Sequence, residues 1–382
     1  MIGNPPWVRV DTLEVNSKNY ILRSFTSAKG KYDLYYLFVE RSIKLLKNNG
    51  LLGFIIPNRF TTSDSGYNLR KYLIDSSRTI KINSVSKIKV FSGASVYPCI
   101  IIIEKGKEIK EIKIAETEKP IDLNNPENEY RINSNQINKL PNCIFPLNSK
   151  KPVLDLYFQV TKNSLLVEDI LTIQEGLRIP KEKEQKTGDF HILKQYQFKR
   201  YSSITEGTYI SENNLKENIS TNSERFKNCL KEKLVIAEDA LRIEAIYDDS
   251  KSICQGGVYF ATLKQQHENL NLKYLLALIN SDLFNAFYNS LYSGMHMGGG
   301  YMRYRTGFLN KLPVKIASEK SLHDSIVHLV ETMLQLQKEK QLTTLPDKLN
   351  QLEARIKYTD DKINKLVFEL YGLSEEEVKL IV

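Results

Sequence analysis

The stretch KYDLYYLFVERSIKLLKNNGLLGFIIP, running from Lys31 to Pro57, decides the fold. Between Lys31 and Lys47 apolar residues recur at Leu34, Leu37, Phe38, Leu45 and Leu46, with Val39 and Ile43 widening the face, the spacing of a largely buried helix. Asn49-Gly50 then supplies a left-handed stop. The run from Leu51 to Ile56 is continuously apolar and closed by Pro57, the pattern of a strand covered on both faces in a mainly parallel sheet. A helix followed by a buried strand is α/β architecture.

Working outward, residues 64–73 read as a helix, and Ile80–Val85 and Ser95–Glu104 as strands, the latter favoured by the β-branched Ile100–Ile103. Asn124–Ser149 is rich in Asn and Pro without periodicity and reads as a linker, so a first domain is expected over 1–150. Residues 151–320 mix short apolar runs, Lys233–Ala237 and Gly257–Leu263, with polar insertions and one helix, Leu272–Tyr288, predicting an α+β domain with long loops. Over 321–382 two amphipathic stretches, Leu322–Gln337 and Lys348–Leu370, flank a turn containing Pro346, which predicts a helical hairpin. Ser374 with Glu377 forms a capping box for a last short helix.

With 382 residues, 41% of them apolar and 26% charged, the chain can bury more than one core. No apolar run approaches the roughly 20 residues of a membrane span, and the N-terminus has no secretory pattern, so a cytoplasmic protein without a membrane partner is expected. Cys99, Cys143, Cys229 and Cys254 are scattered, and the histidines show no ligand spacing, so neither a disulfide framework nor a metal site is expected. The net charge of +9 favours a polyanionic partner. From Leu283 to Ser318 there is no acidic residue, while Arg303, Arg305, Lys311 and Lys315 stand among Tyr301, Tyr304 and Phe308, a candidate phosphate-contacting surface.

Asn4-Pro5-Pro6-Trp7 follows Ile2-Gly3, where a strand would end. An aromatic amine such as adenine N6 is a weak nucleophile because its lone pair is delocalised into the ring. The Asn4 side-chain carbonyl and the Pro5 backbone carbonyl could accept its two hydrogens, and two prolines of fixed φ would hold the second acceptor rigid. Trp7 offers a face for an extruded base. The alternative is a Pro-Pro turn ending a strand, with Trp7 filling the core.

Further motifs make this pattern more specific. Asn4-Pro5-Pro6-Trp7, Tyr32-Asp33-Leu34-Tyr35 through Leu45-Leu46-Lys47 and Gly50, Gly53-Phe54-Ile55-Ile56-Pro57-Asn58, and Val90-Phe91-Ser92-Gly93-Ala94-Ser95-Val96-Tyr97-Pro98 together resemble, in order and spacing, the motifs of gamma-class N6-adenine DNA methyltransferases. The resemblance is narrower still to type IIG-like restriction-modification enzymes that end in a TaqI-like specificity domain, to which Leu275–Leu283, Asn310-Lys311-Leu312-Pro313 and Leu366–Leu373 are also similar. It covers nearly the whole chain, most closely over 1–105.

The resemblance implies the C-terminal half of a Rossmann-like methyltransferase sheet followed by a DNA specificity domain, with S-adenosylmethionine as cofactor and double-stranded DNA as partner. Asn4 and Pro5 would grip the target amine, with Pro6 stiffening the turn and Trp7 stacking on the flipped adenine. Phe91 would close over the base, and Phe38 would face the cofactor's adenine ring, its alternative being a core phenylalanine. Arg178 in the Glu175-Gly176-Leu177-Arg178 turn, Arg303, Arg305 and Lys311 would contact DNA, or else be solvated surface cations.

Such enzymes carry a strand and a glycine-rich cofactor turn before the Asn-Pro-Pro motif, whereas only Met1, Ile2 and Gly3 precede it here. Ser92-Gly93-Ala94 and Gly298-Gly299-Gly300 are not displaced copies of that turn. The expectation is therefore a split enzyme, a truncated gene or a fragment, with a separate N-terminal half or a nuclease subunit as partner. Three functions follow: a site-specific adenine methyltransferase of restriction-modification or phage defence, a non-catalytic DNA-binding specificity module, or a structural protein whose basic surface holds some other polyanion.

Overall fold

The structure, a computed structural model, describes residues 1–88, 90, 97–123, 126, 128–147, 149–202, 207–265, 270–292 and 298–382. It divides into two compact units, Met1–Phe158 with Asn289–Met295, and Gln159–Tyr288 with His296–Val382.

The first unit contains β1 (Ile2–Gly3), α1 (Val15–Ser24), α2 (Leu34–Leu45), β2 (Leu51–Pro57), α3 (Tyr67–Ser76), β3 (Ser77–Ser84), β4 (Pro98–Lys105), β5 (Glu111–Glu116), β6 (Asn128–Asn133), α4 (Ser134–Lys139) and α5 (Lys151–Thr161), within which the unit ends. Its six-stranded sheet has the order β1-β2-β4-β3-β5-β6. β1, β2, β3 and β5 run one way, and β4 and β6 oppose them, so the sheet is mixed rather than mainly parallel. Strand β4 is the reason: inserted between β2 and β3, it pairs antiparallel with both.

Strand β2 also departs from its reading. Leu52, Phe54 and Ile56 are buried while Gly53, Ile55 and Pro57 are only partly covered, so one face is sealed and the other is not. Helix α2 forms as its periodicity predicts, but it buries Tyr35, Tyr36, Val39 and Ile43 and leaves Phe38 and Leu45 exposed. The left-handed stop falls on Asn49, at φ 63°.

The expected linker over 124–149 is instead structured where described. Tyr130 and Ile132 alternate inward on β6, which closes the sheet's edge against β5, and Asn133 and Gln136 cap α4 reciprocally. Among the described ones, Asn133 caps a helix and Pro141 opens a helical turn rather than lending the chain flexibility.

The second unit contains β7 (Leu165–Leu166), α6 (Val167–Ile170), β8 (Leu171–Glu175), β9 (Phe190–Leu193), β10 (Thr208–Ile210), α7 (Glu212–Asn218), α8 (Glu224–Cys229), β11 (Lys233–Ala237), β12 (Asp239–Ala240), β13 (Ala245–Asp248), β14 (Ile253–Cys254) and β15 (Val258–Leu263). After these come α9 (Leu272–Asn280), α10 (Asp282–Tyr292), whose last four residues belong to the first unit, β16 (Met302–Arg303), α11 (Thr306–Leu309), β17 (Pro313–Val314), α12 (Lys320–Leu342), α13 (Pro346–Tyr371) and α14 (Glu375–Ile381). An antiparallel sheet β13-β11-β15-β8 forms its centre, and β10-β9-β14, β12-β16 and β17-β7 are smaller.

The helix expected over Leu272–Tyr288 is broken at Ser281, whose backbone is extended and whose hydroxyl accepts from the Phe284 amide. Consecutive Asn280, Ser281 and Asp282 offer side-chain alternatives to the helical hydrogen bonds. Indeed Asn280 bonds both backbone groups of Ala245. The helical hairpin α12–α13 and the Ser374–Glu377 capping box are present as predicted. Among the described residues, no helix is long and apolar enough to cross a membrane and no side-chain cluster could hold a metal ion.

Candidate functional site

Because β1, β2, β3 and β5 share a direction, their carboxyl ends form one rim of the first sheet, the place where α/β sheets hold ligands. Asn4-Pro5-Pro6-Trp7 leaves β1 at this rim. On the entry side, Ile2 and Gly3 pair with Gly53 and Phe54, and Gly3 has no room for a side chain without displacing the Phe54 ring, 3.1 Å from where a Cβ would be. On the exit side, Leu34 N donates to Val8 O at 2.8 Å and Val10 N to Tyr32 O at 3.2 Å. The tetrapeptide is thus tied at both ends, to β2 and to the start of α2. Asn4 and Pro6 are exposed, Pro5 is buried and Trp7 is half-buried, so the Asn4 amide is open to a partner.

The same exit tie sets the position of α2, on which Phe38 is 46% exposed. Phe38 is therefore not a core phenylalanine; its ring is available for stacking. Phe91 lies outside the described residues. Its described neighbours belong to the rim: Val90 and Tyr97 are exposed, Asn58 N donates to Tyr97 O at 2.9 Å, and Val85 N donates to Pro98 O at 3.1 Å.

Several residues to which the motif reading gave no role shape this rim. Asn58, buried at the end of β2, donates from Nδ2 to Ser86 Oγ at 3.3 Å and accepts from Thr61 Oγ1 at 2.8 Å. Arg70, fully buried on α3, donates to the carbonyls of Phe60, Ser63 and Asn142, holding the segment that follows β2. Its sequence signal is an arginine on the same helix face as the buried Ile74. Arg9 and Arg59 are exposed and flank half-buried Asp33; burial raises the Asp33 carboxyl above its usual value, against the opposing pull of the two guanidiniums. The rim thus combines an exposed amide at Asn4, aromatic faces and flanking cations.

In the second unit, Arg178 is exposed on a rigid turn. Arg225 donates to the carbonyls of Glu175 and Gly176, Leu177 N donates to Cys254 O at 2.6 Å, and a Cβ on Gly176 would fall 2.0 Å from Gln255 O. Arg303 is paired with Asp239, whose carboxylate beside it raises the guanidinium above its usual value. Lys311 is paired with Glu168 at 2.5 Å. Its segment is pinned by Val167 N and Glu168 N, which donate to Leu312 O and Asn310 O, so Asn310-Lys311-Leu312-Pro313 serves the β17–β7 pairing. Arg305 is half-buried, its amide bonded to Tyr288 Oη at 3.0 Å. Of the four predicted DNA contacts, Arg178 is the most open, while Arg303 and Lys311 hold carboxylates.

Residues 1–91 match the Eco57I restriction-modification methylase family, and residues 191–314 match the TaqI-like C-terminal specificity domain. The chain is 35% identical over 108 residues to the type II restriction enzyme and methyltransferase RM.Eco57I of Escherichia coli, covering 28% of this chain and 11% of that protein. To the putative type II restriction enzyme and methyltransferase RM.MjaORFECS2P of Methanocaldococcus jannaschii it is 28% identical over 390 residues, 97% of this chain and 31% of the relative. To the type II methyltransferase M.HincII of Haemophilus influenzae it is 37% identical over 119 residues, 30% of this chain and 23% of that one. The chain therefore spans less than a third of the length of these relatives.

Among solved structures, the type IIL restriction-modification enzyme MmeI in complex with DNA aligns with all of this chain and 55% of its own, at a TM-score of 0.57 and 13% identity. A nuclease-deletion mutant of the type ISP enzyme LlaGI with a DNA substrate mimic aligns with 88% of this chain and 35% of its own, at 0.50 and 12%. At these identities the likeness is one of fold. The chain carries, in order, a methylase segment of the Eco57I kind and a TaqI-like specificity domain, as its motif series implied.

Proposed function

We propose that this chain is the base-handling and target-recognising part of a site-specific adenine-N6 DNA methyltransferase of a restriction-modification or phage-defence system. The observation that carries the reading is Asn4-Pro5-Pro6-Trp7 on the carboxyl rim, tied at both ends with the Asn4 amide open. With a flipped adenine at this corner, Asn4 Oδ1 and Pro5 O accept the two N6 hydrogens. That draws electron density back onto nitrogen as it begins to bond to carbon, and acceptors already in place need no reorganisation. Trp7 holds the ring by stacking, and Phe91 is the residue that the motif resemblance assigns to closing over the base. S-adenosylmethionine would supply the electrophilic methyl group, and Phe38 fits its adenine ring as an exposed aromatic face on α2. Asn4 and Pro5 hold no covalent intermediate at any stage.

The test is transfer of labelled methyl groups to duplex DNA, with this chain alone and with any protein encoded immediately upstream. Asn4→Ala lowers transfer by about 100-fold or more, the scale of removing one such polar contact, and leaves DNA binding intact. Undiminished transfer in that variant removes Asn4 from the mechanism. The match over residues 191–314 also supports a second reading, a non-catalytic specificity module or subunit. Sequence-selective DNA binding without cofactor binding or transfer in either preparation would establish it.

A further inference from the structure

In the second unit, Asp239 on β12 and Arg303 on β16 stand directly opposite each other in an antiparallel pair. Arg303 Nε and Nη2 donate to Asp239 Oδ1 and Oδ2 at 2.8 and 3.0 Å, and Glu238 Oε1 lies 3.9 Å from Nε. The two side chains remain 35% and 27% exposed. Both backbones are fixed: Tyr304 N donates to Glu238 O at 2.7 Å, Met302 and Tyr304 are buried, and Gln195 bonds both backbone groups of Asp239. Among the described residues, the surface beside this pair is open. Glu238 N donates to Gly257 O, a Cβ on neighbouring Gly256 would meet nothing within 4 Å, and Tyr301 is exposed.

Two carboxylates facing one guanidinium leave the cluster net negative, which is a poor anchor for a phosphate. The pairing engages the Nε/Nη2 edge, however, and leaves the Nη1/Nη2 edge with its two parallel N–H groups in a fixed fork. That fork matches O6 and N7 of guanine in the major groove, and an arginine already oriented loses less rotamer freedom on binding. We propose that Arg303 reads a guanine edge of the target duplex and that Asp239 is the positioning residue that aims it. This rests on the reading of residues 191–314 as target-recognising. The competing role is a staple between two short strands, which would give stability without sequence preference.

The experiment selects duplexes from a random pool with the full chain, then measures binding to the enriched duplex and to its single-position variants. Arg303→Lys and Asp239→Asn are expected to lose preference for one G·C pair by about 5- to 150-fold, the scale of a bidentate base contact, with the other positions and the salt dependence unchanged. Replacing that guanine by 7-deazaguanine, which lacks N7, weakens the wild type and not Arg303→Lys. The proposal is overturned if both variants keep the wild-type motif and lose only thermal stability. It is equally overturned if Arg303→Ala weakens all duplexes uniformly and lowers the salt slope by about one, the mark of a phosphate contact. A wild-type chain that enriches no motif refutes the target-recognition reading beneath it, a different failure from a motif that survives in the variants.

Discussion

Replacing Arg70 by methionine should destabilise the first unit by about 2–5 kcal/mol. The guanidinium is fully buried and donates from Nη1 to Phe60 O at 2.5 Å and Ser63 O at 2.8 Å, and from Nε and Nη2 to Asn142 O at 3.3 and 3.0 Å. Methionine fills most of the volume but strands three inward carbonyls, each costing about 1–3 kcal/mol when left without a donor. Part of that is returned, because the variant no longer buries a charge; burial is what pushes the Arg70 guanidinium down to about 10. Two further features depend on these bonds. Asn142 and Cys143 both adopt left-handed backbones, at φ 51° and 50°, which surrounding contacts must hold. Gly66 can carry no side chain, since a Cβ would lie 2.1 Å from Phe60 O and 2.7 Å from Arg70 Nη1. Urea unfolding followed by circular dichroism measures the loss, with Arg70→Lys in parallel; lysine keeps the charge but one nitrogen cannot span three carbonyls. A loss below about 1 kcal/mol in Arg70→Met would show that the carbonyl cage is not what holds the segment after β2.

Three other outcomes follow from the same geometry. Glu40 is buried, and although burial alone raises its carboxyl, Lys44 and the hydrogen bonds from Ser27 and Thr26 reverse this and hold it below its usual value. A depressed carboxylate contributes stability above the ordinary glutamate value of about 4.3 and loses it as pH falls through the folded value. Urea stability between pH 7 and pH 3 should fall more steeply in the wild type than in Glu40→Gln, and parallel curves would exclude the effect. Gly176→Ala should lower the melting temperature of the second unit and loosen the Arg178 turn, with a cost of about 1–3 kcal/mol or more for forcing a methyl against Gln255; an unchanged melting temperature would contradict that contact. Phe38→Ala should alter stability by only about 0.5 kcal/mol while weakening cofactor binding in a methyl-transferring preparation, and a large stability loss would return Phe38 to the core.

The motif residues and the fold were unequally legible. Asn4-Pro5-Pro6-Trp7 could be recognised because its chemistry is local: an amide, a carbonyl between two fixed φ angles and an indole lie within four consecutive positions. The hairpin helices and the Ser374 cap were readable for the same reason, since period and capping act within a few residues. The mixed sheet was not, because apolar runs such as Leu51–Ile56 and Ile100–Ile103 look alike whichever way their partner runs. The stretch 124–149 was misread because Asn and Pro signal turns whether these join strands or lead nowhere. The break at Ser281 depended on Asn280 finding Ala245, a partner remote in sequence.

Sequence alone determined the α2–β2 unit and the hairpin helices, that Asn4-Pro5-Pro6-Trp7 lies together after a strand, and that basic residues cluster between Asp282 and Glu319. Only tertiary structure decided which of the predicted DNA-contacting cations remain open: Arg178 is exposed, Lys311 is occupied by Glu168, and Arg303 is paired with Asp239. The reason is range. Periodicity, capping and fixed φ act over a few residues along the chain, whereas a cation's role depends on carboxylates whose nearness is settled by strand pairing.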